Sequence, residues 1–231
     1  MFLTEMLPRD LKRAVDEKWP LLVPMGSVEF HGNHLPLGTD SFITEAVACG
    51  VEKRLDVVVA PTVHLCPTGY AVSGPEQGTT DIGVELFIRW CRELVGNYRR
   101  MGFGRILFLV HHQGGNIGAF LRAAVTDELM YGTYREQGYG WWSDQQKKAA
   151  CPQGFIEICP AMLDSHFFGG HAGRGETEAI LAARPELVHA ELTEKDDFWW
   201  NADADEADVT RAVEQLQAVI DRWVEKLTAE H

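Results

Sequence analysis

Residues 21–40 read LLVPMGSVEFHGNHLPLGTD. The first six are apolar and closed by a glycine, the pattern of a strand buried on both faces. The next segment, 41–55, sets Ile43, Ala46, Val47, Gly50 and Val51 on one face at helical spacing. A buried strand leading through a loop into a helix is half of a βαβ unit, and the rest of the chain repeats it. DVVVAPTV (56–63) reads as a second strand. VELFIRWCRELVGNYRRMG then carries Val84, Phe87, Ile88, Cys91, Leu94, Val95 and Tyr98 at helical spacing, and Gly102 ends it. RILFLVH (105–111) is a third strand, followed by a helix that Asn116 can cap and that buries Ile117, Phe120, Leu121 and Ala124. GFIEIC (154–159) is a fourth strand, and GETEAILAARPELV starts a short helix that Pro185 cuts off. A last helix, about 207–228, shows Val209, Ala212, Leu216, Val219, Ile220, Trp223 and Leu227. This alternation predicts an α/β fold, one domain over residues 1–231, with a mainly parallel sheet flanked by helices. The polar and aromatic stretches 132–153 and 191–206 are expected to be surface loops bordering a pocket or an interface.

Bulk composition narrows the function. Of 231 residues, 45% are apolar and 24% charged, an ordinary globular balance. With 34 acids against 21 bases the net charge is −13, which disfavours nucleic acid and anionic membrane as partners. No apolar run reaches the roughly 18 residues of a membrane span. The opening MFLTEMLPRDLKRAVDEKWP is too charged for a secretory signal. The five cysteines are scattered, with no C-x-x-C pair, so a reduced, cytoplasmic protein with thiols as core fillers is expected.

Ligands of an open parallel sheet bind beyond the carboxyl ends of its strands. Three such exits carry the chemistry: GSVEFHGNHLPLGTD, HHQGGN, and PAMLDSHFFGGHAGRGETE. His31, His34, His111, His112, His166 and His171, six of the nine histidines, lie there, which favours one shared site. Glu29 and His31 are two apart, so in an extended segment both side chains point the same way and can converge on a cation. Asp40 sits at the mouth of the following helix, where the dipole favours an anion, and a carboxylate there can bridge two ions. Carboxylate with imidazole suits Zn²⁺, Mn²⁺ or Fe²⁺. The same residues also admit a structural reading, with Glu29 and His31 a surface pair and Asp40 a helix cap. His34, between Asn33 and Pro36, reads better as the brace of a turn, and the glycines of HHQGGN can simply turn the chain into a helix.

Together these segments resemble the creatininase (creatinine amidohydrolase) family. GSVEFHGNHLPLGTD is similar to its G-S-x-E-x-H-G-x-H-L-P-x-x-x-D motif, and LVHHQGGN to a strand ending in N-G-H-G-G-N. GGHAGRGETEAILAARPELV is similar to H-x-G-x-x-E-T-S with its short helix and P-x-L-V, and PEQGTTDIG to P-G-T-[IT]. The resemblance implies a metal-dependent hydrolase of a small, cyclic amide, with one or two divalent ions (Zn, Mn or Fe) and a homo-oligomer of hexamer size or similar. A cyclic polyhydroxy ketone or a formamide is the alternative substrate within the family, and a metal-poor, non-catalytic member the alternative class. Residue by residue, Glu29 falls on a first-metal ligand, His31 on a second-metal ligand and Asp40 on the bridging carboxylate. His171 falls on a proton-shuttling histidine and Glu176 on the acid of E-T-S, expected to serve both catalysis and the second metal. Aligning the G-G-N segments puts Gln113 on the first-metal histidine, with His112 next door. Gly115 stands where creatininase itself has an acid, which argues against creatinine as the substrate. Trp141 and Trp142 are candidates for a lid or an oligomer contact. The glycines at 169, 170, 173 and 175 are expected to bring their loop close to a ligand.

Overall fold

The computed structural model describes residues 1–112, 121, 124, 156–161, 170–195 and 198–229. Among the described residues, four parallel strands form the sheet: β1 (Leu21–Met25), β2 (Val58–Val59), β3 (Ile106–Val110) and β4 (Ile156–Pro160), in the order β2-β1-β3-β4. Leu21 pairs with Val58 on one side of β1 and with Ile106 on the other, and Ile106 pairs in turn with Ile156. The helices whose bounds fall among the described residues are α1 (Pro8–Asp16), α2 (Thr39–Glu52), α3 (Val84–Arg100), α4 (Arg174–Ala183) and α5 (Val209–Ala229).

The apolar runs form central strands because both of their faces are covered. Leu21, Val23, Met25, Ile106, Phe108 and Val110 pack with Phe87, Cys91, Val95 and Tyr98 of α3. Their sequence neighbours Leu22, Leu107 and Leu109 pack on the opposite face with Ile43, Val47 and Val51 of α2, Ile180 of α4 and Trp223 of α5. Each fully buried aliphatic side chain of this kind contributes about 1.5–3 kcal/mol. Trp223 also donates its indole N–H to the Ala161 carbonyl at 2.6 Å, which ties α5 to the end of β4.

Two elements differ from the sequence reading. The run 56–63 keeps only Val58–Val59 as ladder, because Pro61 cannot donate to it. The extended course nevertheless continues, with Ala60 N–H on the Leu22 carbonyl and Val63 N–H on the Pro24 carbonyl. The helix α1 has no counterpart in the sequence reading. It buries only Ala14 fully, and Pro8 in its first turn and the Asp10 carboxylate, which accepts from Leu7 N–H at 3.0 Å, start it. Of the helix expected after Asn116, Leu121 and Ala124 are helical and buried, and the remainder lies outside the described residues, as does 132–153. Cys66, Cys91 and Cys159 are buried, and burial raises the Cys91 thiol to about 12. No helix among the described residues is long and apolar enough to cross a membrane.

Candidate metal centre

The strand order fixes where a site can form. The chain leaves β1 toward β2 on one side and later returns to β3 on the other, so the sheet has its switch point between β1 and β3. Crevices open at such points beyond the carboxyl ends of the strands. Glu29, His31 and Asp40 follow β1, and His111 and His112 follow β3.

Close packing of backbone brings α2 into place. A Cβ on Gly26 would stand 2.3 Å from Ser41 N and 2.6 Å from the Asp40 carbonyl carbon, so only glycine admits this approach of β1's exit to the first turn of α2. Ser27 Oγ–H donates to Asp40 Oδ2 at 2.6 Å, and Glu29 N–H donates to the Leu37 carbonyl at 2.9 Å, closing the loop on itself. Thr80 N–H donates to the Val28 carbonyl and Thr79 Oγ1 accepts from Phe30 N–H, pinning the loop from outside. His34, wholly buried, sets Nε2 3.0 Å from Thr177 Oγ1 of α4, the bracing role that its turn suggested.

At the centre lies the Asp40 carboxylate, which works on two sides. Oδ2 is 3.0 Å from His112 Nδ1, and that nitrogen is also 3.1 Å from Glu29 Oε2. Oδ1 is 3.4 Å from His31 Nε2, which is in turn 3.6 Å from Glu176 Oε2. Glu29, Asp40 and His112 thus form one set of donors close enough to share an ion, and His31, Asp40 and Glu176 a second. All five residues are buried. Glu176 reaches the cluster from the first turn of α4, where Ala172 N–H donates to Oε2 at 2.6 Å and His111 Nε2 lies 3.0 Å from Oε1.

Three carboxylates out of water require positive charge beside them. Burial pushes the His31 and His112 imidazoles down, but the facing acids win. Asp40 and Glu176 hold His31 up to about 9, and Asp40 and Glu29 hold His112 up to about 10. Burial likewise pushes the Asp40 and Glu176 carboxyls up, and the imidazoles reverse it. His31 and His112 hold Asp40 well below the ordinary carboxylate range, and His31 and His111 lower Glu176. The donor chemistry fits a divalent cation. His31 Nε2, buried, makes no aligned hydrogen bond among the described residues although two carboxylates flank it, a geometry that an ion between them completes.

His171 stands at the rim. Its ring lies 4.3 Å from that of His31, and a donor atom of it lies within 4.8 Å of donors on Glu29 and His31. Nε2 is 2.8 Å from the Phe30 carbonyl, which fixes Nε2 as the N–H in the neutral ring and leaves Nδ1 as acceptor. Burial, reinforced by His31, keeps this imidazole below its ordinary pKa. Trp200 packs edge-on against His171 at 4.9 Å and stacks on Phe198 at 4.7 Å, while Phe30 meets both rings edge-on. An aromatic wall therefore borders the cluster from the stretch 198–200, and Trp199 beside it is exposed. Gly173 makes room for this segment, since a Cβ there would meet Asp203 Oδ1 at 2.7 Å; its crowding faces the protein, not a ligand.

Of the residues singled out in the sequence, Glu29, His31, Asp40, His171 and Glu176 come together. Gln113, Gly115, Gly169, Trp141 and Trp142 lie outside the described residues. His112 occupies the place beside Glu29 and Asp40 for which the G-G-N alignment had set Gln113. His111, Phe30, Phe198 and Trp200 had no assigned role. Periodicity carries no signal for the aromatic pair, which reaches the site from far along the chain.

Comparison with known proteins identifies the family. The model of a family described as creatinine amidohydrolase matches residues 4–227. A mycofactocin precursor peptide peptidase of Mycobacterium tuberculosis H37Rv is 34% identical over 185 residues, covering 74% of this chain and 61% of that protein. One of Mycolicibacterium smegmatis is 40% identical over 177 residues, covering 73% of this chain and 59% of that protein. The chain thus spans about three fifths of the length of these relatives. A solved structure of creatininase with Mn superposes with a TM-score of 0.76 at 16% identity, over 99% of this chain and 98% of that one. With a parallel sheet of the same fold and a family match over nearly its whole length, this chain belongs to the creatininase family.

Proposed function

We propose that this protein is a metal-dependent hydrolase that breaks the bond between a carbonyl carbon and a nitrogen in a small substrate. The two-sided use of Asp40, Oδ2 toward His112 and Oδ1 toward His31, carries the reading. Glu29, Asp40 and His112 would hold one ion, and His31, Asp40 and Glu176 the other, with Zn²⁺, Mn²⁺ and Fe²⁺ all matching the carboxylate–imidazole set. When bound, divalent ions supply a water acidified toward neutrality and a polarising contact for the carbonyl oxygen. The chain does the rest. Ser27 and the Ala172 N–H hold Asp40 and Glu176 in orientation. His171, tethered through Nε2, takes up at Nδ1 the proton lost by the attacking water and returns it to the departing nitrogen. Phe30, Phe198 and Trp200 form an apolar wall beside it that limits access of bulk water.

A cyclic amide is the favoured substrate class, supported by the family to which the chain belongs. A second reading, a peptide bond, is supported by the identity of 34–40% to relatives described as peptide peptidases. Both require the same bond cleavage, so they share one test. Protein stripped by a chelator and reloaded with Zn²⁺ or Mn²⁺ is assayed on creatinine, hydantoins, lactams, formamides and short peptides. The expected result is hydrolysis of at least one amide by the loaded protein and its loss on stripping. Turnover that survives stripping, or a loaded protein inert toward every C–N substrate, contradicts the proposal.

A further inference from the structure

The two oxygens of Glu176 are held by different kinds of partner among the described residues. Oε2 accepts from Ala172 N–H at 2.6 Å and lies 3.6 Å from His31 Nε2, so it is the oxygen turned toward the second donor set. Oε1 is 3.0 Å from His111 Nε2. His111 is buried and lies just past β3, with its backbone N–H on the Met25 carbonyl at 3.2 Å. Its Nε2 is 4.0 Å from Asp40 Oδ1, too far to bond to it, so its contact with Glu176 is the closer one. A carboxylate on the first turn of a helix swings freely about its terminal torsion unless something fixes it. The Ala172 N–H alone anchors one oxygen and leaves the rotation open. A donor on the other oxygen closes it.

We propose that His111 is a positioning residue for the second metal place, donating Nε2–H to Glu176 Oε1 so that Oε2 alone is presented alongside His31 Nε2 and Asp40 Oδ1. This rests on the assignment of His31, Asp40 and Glu176 to a metal. It gives the two adjacent histidines separate tasks, His112 within the first donor set and His111 behind the second. It also explains why the second of these tasks falls at the end of β3. The residue following Val110 is held there by β1 and faces α4, and no residue of β1's own exit loop reaches Glu176 Oε1 among the hydrogen bonds of the described residues.

The test is a zinc titration by equilibrium dialysis on wild type, His111→Leu and His111→Gln. Leucine fills the space without a donor, and glutamine restores an N–H. The expected result is a second ion bound about 10–100-fold more weakly in His111→Leu, the usual effect of removing a partner behind a metal ligand. The first ion should keep its affinity, and His111→Gln should recover most of the loss. Thermal unfolding of the stripped proteins checks that all three fold. Wild-type binding of both ions in His111→Leu overturns the positioning role and leaves the metal assignment standing. Equal loss in the leucine and glutamine variants overturns it as well, since a restored donor should rescue. A wild-type protein that takes up no zinc overturns the metal assignment and the inference together.

Discussion

Glu29, His31 and Asp40 could be read from the sequence because a single loop carries all three, so their convergence needs only the local geometry of one strand exit. His112 could not be separated from Gln113 by counting. A ligand after a strand is placed by where the strand ends, and one residue of shift moves the side chain to the other face. The structure ends β3 at Val110 and sets His112 Nδ1 between Glu29 and Asp40. Accordingly, His112→Ala should lose the first ion while Gln113→Ala keeps it, as metal analysis after dialysis would reveal; the reverse pattern would restore the G-G-N alignment. His171 is bonded through Nε2 to backbone and borders the cluster rather than closing it. His171→Ala should therefore lower kcat by about 10²–10⁴-fold, the range for a general acid–base group, with metal content near wild type. Metal loss in that variant would make His171 a ligand instead.

At the scale of elements, periodicity found the strands and most helices, since both faces of β1 and β3 are covered and the helices bury one stripe each. It missed α1, whose nine residues bury one side chain fully and leave too little apolar pattern to recognise. It overran β2, because an apolar run does not say where a proline ends the ladder. What sequence alone hid most was approach between elements. Gly26 looks like a strand terminator, yet its role is to let α2 touch β1. Gly26→Ala should cost about 1–3 kcal/mol, as overpacking does, and should weaken metal retention by displacing Asp40; an unchanged denaturation midpoint would refute the contact. The start of β4 offers a pH-dependent case. Burial pushes the Glu157 carboxyl up, but Lys226 and Arg105, at 2.8 and 3.0 Å, hold it below its ordinary value. A carboxyl depressed on folding stabilises above the unfolded value, and the benefit fades as pH falls through the folded one. The groups are partly exposed, so the benefit is below about 1 kcal/mol. Glu157→Gln should thus unfold slightly earlier than wild type at neutral pH, with the gap closing in acid; a gap that widens in acid would reverse the assignment.

For the molecule as a whole, the fold class and the family were legible because the site's residues hang on strand exits whose order the motifs preserve. The stretch 191–206 was expected to border a pocket or an interface, but the contact of its aromatic wall with His171 was not legible, since it comes from another part of the chain through packing alone. The β2-β1-β3-β4 order turns two separate loops into one buried cluster, and the Asp40 carboxylate is the part that both halves share. That shared use is the central claim. Metal bound to the folded state should also raise its melting temperature, by an amount that grows with the logarithm of the ratio of ion concentration to dissociation constant. The most direct test is zinc per chain, measured after reconstitution and exhaustive dialysis, for wild type beside Asp40→Ala. A bridging carboxylate predicts about two ions per chain in wild type and loss of both, with all turnover, in the variant. An Asp40→Ala protein that keeps its zinc and its activity would contradict it.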